Sequence, residues 1–201
     1  MSWIEEIEYG EATGALKKLY DRVKGPDDNI DNVLKVHSLR PHSLAGHMAL
    51  YKNVLHHSGN ALPKWYLETV GVLVSMLNRC DYCVAHHAAG LRRLLKDDRK
   101  FELLYVSLEN GLYREVLEEK YAAGLDYAKK VTWAPDKVVQ EDIHHLRSRS
   151  FVDGEILELN QVASYFNYVN RSVLGLGVNT DGDILGLSPN DNSDAENWGH
   201  S

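Results

Sequence analysis

The stretch that most constrains this chain is residues 63–77, PKWYLETVGVLVSML, which is apolar nearly all round. A helix of that kind has no face to offer water, so it predicts a helix surrounded by protein, with Pro63 at its first position. Its only charges are Lys64 and Glu68. They are four residues apart, and so either pair with each other on an exposed strip or serve separate purposes. In the second case Glu68 points toward the segment that follows, where burial would raise its pKa into the range useful for proton relay.

The rest of the chain supplies the helices that surround it. Leu16, Leu19, Tyr20 and Val23 repeat at helical spacing after Thr13, a candidate N-cap. Gly25-Pro26 breaks that helix, and residues 32–37 form a short one. Pro41 or Ser43 opens a helix to about His57, closed by Ser58-Gly59-Asn60 with the glycine in a left-handed cap. Further helices are expected over 80–95, 98–108, 113–130, 141–147 and 153–174, the last capped by Asp153 and stopped by Gly175 and Gly177. No alternating strand pattern competes. The fold class is all-α: a single helical domain over residues 1–178, then a polar tail over 179–201. The end of that tail, from Ser188, is expected to be mobile or to order only against a neighbour.

Composition narrows the function classes. The 201 residues carry a formal net charge of -7, which disfavours a phosphate backbone as partner. The acidic N-terminus lacks the pattern of a secretory leader, and the longest apolar run, residues 70–74, is far too short to span a bilayer. A cytoplasmic protein is expected. It has two cysteines, and a close pair in that compartment points to redox chemistry or metal binding rather than a structural staple.

That pair lies in NRCDYCVAHH, residues 78–87. On a helix beginning near Cys80, the positions i, i+3 and i+7 put Cys80, Cys83 and His87 on one face. A thiol in a first helical turn is favoured as thiolate, an imidazole nearby can take its proton, and a second thiol can trap the oxidised first as a disulfide. Spacing alone leaves His86, also three residues from Cys83, as a rival to His87. Zinc is an alternative use of the same groups, through Cys80, Cys83, His86 or His87, and His56 or His57. So is a non-enzymatic helical oligomer. His37, His42 and His47 read as surface or cap residues, His56-His57 as a helix end that tolerates positive charge, and His144-His145 as exposed. Asn167, Asn170 and Arg171 form a polar strip suited to bonding a neighbouring helix or subunit.

Glu68, eleven residues, Cys80-x-x-Cys83, three residues, His87 resembles the signature of the alkylhydroperoxidase D-like (carboxymuconolactone decarboxylase) superfamily. Ala12-Thr13-Gly14, Leu39-Arg40-Pro41, Tyr127-Ala128-Lys129-Lys130 and the segment from Ala163 to Arg171 resemble its uncharacterised peroxidase-related branch. The resemblance implies a compact helical bundle that assembles as trimers or hexamers and reduces hydroperoxides without metal or cofactor. It implies Cys83 as peroxidatic thiol, Cys80 as resolving thiol, and Glu68 with His87 as proton relay. A lipoyl- or thioredoxin-like dithiol protein would supply the electrons. Decarboxylase or lactone chemistry is the superfamily's other activity, in branches that generally lack the dithiol. The chain departs from well-studied members at Tyr82, where they carry a histidine.

Overall fold

The computed structural model describes residues 2–200. Among them are nine α-helices and no strand: α1 (Gly14–Val23), α2 (Asn32–Lys35), α3 (Pro41–Leu55), α4 (Lys64–Leu77), α5 (Asp81–Leu95), α6 (Asp98–Glu109), α7 (Glu119–Trp133), α8 (Gln140–Ser148) and α9 (Asp153–Leu176). No helix among the described residues is long and apolar enough to cross a membrane.

The apolar stretch is the centre of the bundle. Every residue of α4 from Tyr66 to Ser75 is buried, and the helix packs against α5, α9 and α7. At Gly71 the ring of Phe166 on α9 lies so close that a Cβ would overlap it, so glycine here permits the approach of the two helices. The polar strip on α9 bonds neighbouring helices, as its spacing suggested. Asn78 Nδ2 donates to Asn167 Oδ1 and Asn170 Oδ1, and Asn170 Nδ2 donates to the Ser75 hydroxyl. Lys64 and Glu68 do not pair; Lys64 binds Asp191 while Glu68 binds His87.

Some local expectations are corrected. The helix expected over 113–130 begins only at Glu119, because Tyr113 belongs to a separate 3-10 turn whose hydroxyl donates to Asp126 of α7. The helix α3 ends at Leu55 without a left-handed Gly59. The Asn60 side-chain amide instead donates to the Val54 carbonyl, satisfying one of the orphan acceptors of the last turn. Thr13 occupies the N-cap position of α1 but makes no side-chain bond there. His47 is buried in α3 among the rings of His37, Tyr51 and Tyr165. His56 is buried as well, whereas His144 and His145 are exposed as expected.

The C-terminal segment up to residue 200 packs back on the helices of its own chain. Lys52, fully buried, donates to the Asn190 carbonyl and to Asn192 Oδ1. Ser58 N–H donates to the Asn192 carbonyl. Trp198 is buried beneath the Arg22 guanidinium, 3.8 Å above its ring. The segment's polar composition reads as a tail because its anchors are backbone carbonyls, scattered polar side chains and one tryptophan, which leave no periodic pattern.

Candidate active site

The helix α5 begins one residue after a left-handed turn at Arg79, with Cys80 at its N-cap position. This places both sulfurs in the first turn, buried and reduced, 3.1 Å apart. A disulfide needs about 2.05 Å, so closure asks for roughly one ångström of approach and no refolding. The expected lowering is found at Cys80 alone, and Cys83 is shifted the other way. The hydrogen bond between the two sulfurs is the main cause that holds Cys80 below its ordinary pKa, and the same bond, together with burial, pushes the Cys83 thiol up.

Across from them, Glu68 of α4 is 2% exposed and its Oε2 lies 2.7 Å from His87 Nδ1. Burial alone would raise this carboxyl, but the charge and hydrogen bond of His87 outweigh it and leave the pKa below the ordinary value. The expectation of a raised Glu68 is thereby corrected. A buried carboxylate stays ionised when a hydrogen-bonding partner offsets the cost of its burial. The His87 ring is clamped edge-on by Tyr51 and Phe166.

His86 has a separate partner. Its Nε2 lies 3.2 Å from Asp183 Oδ2, and its ring stacks on Tyr82. The Tyr82 hydroxyl donates to Asp183 at 2.6 Å and accepts from the Val33 N–H. Burial raises the Tyr82 pKa well above normal, and Asp183 adds to it. The phenol is therefore an anchor between α5 and the C-terminal segment. Asp31 stands beside this cluster, its pKa pushed up to about 6 by burial.

Glu68, Cys83 and His87 line one cavity of about 40 Å³, with Asp31, Tyr82 and His86 on its walls. Cys80 is fully buried behind them. All four residues singled out by the Cys-x-x-Cys-x-x-x-His pattern and its upstream glutamate are thus gathered in one place. His86 and His87 both line the cavity but have different partners, Asp183 and Glu68 respectively. Tyr51, Tyr165 and His47 belong to the site too, but helical spacing marks the tyrosines only as core and gives no sign of the histidine's burial. Asp183 and Asp31 lie in short polar loops that carry no signal at all. The residues considered for zinc are otherwise engaged: His56 lies against Lys64 and Asp191, and His57 bonds the Ser193 carbonyl. Among the described residues no three His, Cys, Asp or Glu side chains are grouped to hold a metal.

Three deeply buried or capped imidazoles make a prediction about acid stability. Burial lowers the pKa of His47 to about 3 and those of His56 and His200 to about 4. A histidine whose folded pKa lies below its unfolded value contributes stability that is full above about pH 6.5 and is lost as the pH falls. Asp31, raised to about 6, acts in the opposite direction between its unfolded and folded values. The balance is roughly two extra protons on the unfolded chain, so stability should fall by about 3 kcal/mol between pH 6 and pH 5. Urea unfolding at the two pH values checks this; equal stabilities would contradict the burial of these groups.

Residues 41–109, from α3 through α6, match the family model described as carboxymuconolactone decarboxylase family. The fold matches an uncharacterised peroxidase-related protein from Silicibacter sp. TM1040 at 28% identity and a TM-score of 0.67, covering 77% of this chain and 78% of that one. Over residues 41–109 the chain thus matches the carboxymuconolactone decarboxylase family, and its fold is similar to that of peroxidase-related proteins. Another superfamily fold, the alkylhydroperoxidase AhpD core protein of Ralstonia eutropha JMP134, is likewise peroxidase-related. It superposes at a TM-score of 0.75 over 90% of this chain and 93% of its own, at 23% identity. The same fold also houses other chemistry: a point variant of the debrominase Bmp8, in complex with 2,3,4-tribromopyrrole, shares it at a TM-score of 0.62 and 14% identity over 84% of this chain and 82% of that one. The family matched over residues 41–109 is associated with enzymes, and the dithiol site must decide which reaction it supports.

Proposed function

We propose that the chain is a dithiol hydroperoxide reductase serving antioxidant defence. The observation that carries this reading is the single cavity shared by Cys83, Glu68 and His87, with the Cys80 sulfur 3.1 Å from that of Cys83. The reaction balances as one hydroperoxide and two thiols giving an alcohol, water and a disulfide. One thiol proton passes to the His87–Glu68 pair, leaving a thiolate shared along the S–H···S bond. Shifting the remaining proton from Cys83 to Cys80 leaves the Cys83 sulfur ionised toward the cavity. That sulfur attacks the distal peroxide oxygen: an S–O bond forms, the O–O bond breaks, and the alkoxide takes the proton held by His87. Cys80 then attacks the sulfenic sulfur; the S–S bond forms, the S–O bond breaks, and hydroxide leaves as water with the Cys80 proton.

The disulfide returns to the dithiol by exchange with an external dithiol, lipoyl- or thioredoxin-like, through a mixed disulfide. Cys80 supplies the second proton itself, so the histidine that relatives carry at the position of Tyr82 is dispensable in this scheme. The test is turnover. With dithiothreitol as reductant, the protein should consume hydrogen peroxide faster than dithiothreitol alone, and a rate equal to that background would remove the reading.

A further inference from the structure

We infer that the C-terminal segment, residues 183–200, is a strap that restricts this site to small, uncharged hydroperoxides of the size of hydrogen peroxide. The inference rests on the dithiol peroxidase reading and adds the substrate class. Gly186, Leu187, Ser188 and His200 all line the cavity. The closure is tight at Gly186, which has φ of +81° and where a Cβ would meet Ala89 Cβ at 2.9 Å and the Gly90 N at 3.0 Å, both on α5. The strap is fastened along its length. Asp183 accepts from Tyr82 and from the Asn32 N–H at 3.0 Å; Asp191 pairs with Lys64; and Arg22 holds Glu196 at 2.6 Å.

Two properties of the enclosed space define what enters. Its volume of about 40 Å³ holds a few water-sized molecules, each needing about 10–15 Å³ by this kind of measure. An aromatic or long-chain hydroperoxide does not fit beneath the strap. Its walls carry Glu68 and Asp31 but no lysine or arginine, so nothing there would neutralise the carboxylate of a fatty acid hydroperoxide. What the walls do offer is His47 Nδ1 and His200 Nδ1, both buried without a hydrogen-bond partner. Neutral imidazole nitrogens of this kind suit the hydroxyl groups of a small peroxide.

The test has two arms, one independent of turnover. In the first, Cys83 is alkylated with iodoacetamide and with pyrene maleimide, each rate being normalised to that of free glutathione. Wild type should favour the small reagent by about tenfold or more, and Leu187→Ala should narrow the ratio. Gly186→Ala, which forces the strap off α5, should narrow it too, so a folding failure of one variant leaves the other. In the second arm, kcat/KM for hydrogen peroxide should exceed that for cumene hydroperoxide by about tenfold or more in wild type, with the gap closing in the variants. Equal labelling by both reagents, or cumene hydroperoxide turned over as well as hydrogen peroxide, would overturn the strap while leaving the peroxidase reading intact. No turnover of either peroxide would overturn the peroxidase reading and the substrate class with it.

Discussion

Cys83→Ser should lower peroxide turnover to background, a loss on the order of 10³-fold or more, because among the described residues no other sulfur lines the cavity. The Cys80 sulfur sits fully buried behind it and cannot take over the attack. Cys80→Ser has a different signature. The Cys83 sulfur still lines the cavity, but it loses its hydrogen-bonded thiol partner 3.1 Å away. Oxidation should therefore slow and stop after one event, leaving a sulfenic acid trappable by dimedone. The pair of variants separates the two roles, since exchanging them would exchange the phenotypes. Turnover persisting in Cys83→Ser would show that the attacking group lies elsewhere.

Glu68→Gln should cost turnover on the order of 10²–10⁴-fold, the usual weight of a general acid–base relay. Glutamine fills the same buried volume and can still bond His87, but it cannot hold an imidazolium, so the proton taken from the dithiol has no stable resting place. The same substitution should remove the acid limb of the rate–pH profile. Glu68 has a depressed pKa in the folded protein, so the stability of its ion pair is present above its unfolded value and is lost as the pH falls through the folded one. Measuring kcat/KM against pH for both proteins checks the assignment. A glutamine variant with the wild-type rate would show that the carboxylate merely packs against His87.

The bundle was legible because α4 announces itself: a helix with no polar face can only lie at the centre, and the amphipathic segments on either side must cover it. The site was legible for a related reason. Three of its four residues lie within eight positions on one helix, where spacing fixes their common face, and the fourth is one of only two charges on the buried helix before it. What stayed hidden was assembled over long separations. Asp183 reaches Tyr82 and His86 from a turn that reads as solvent-exposed, and residues 186–188 meet α5 through a glycine and backbone. His47 falls in a histidine-rich stretch that looks like surface, yet tertiary packing encloses it between aromatic rings. The direction of the Glu68 shift was also out of reach, since burial and a charged partner oppose each other and only the 2.7 Å contact with His87 decides between them.

The most direct measurement is the free-thiol content and intact mass of the reduced protein before and after one equivalent of hydrogen peroxide. A reactive dithiol at Cys80 and Cys83 predicts that both thiols vanish together, with the mass falling by the two hydrogens of a disulfide and no oxygen retained. Two thiols still titrating at unchanged mass, or an oxygen added to Cys83 with Cys80 left free, would contradict it.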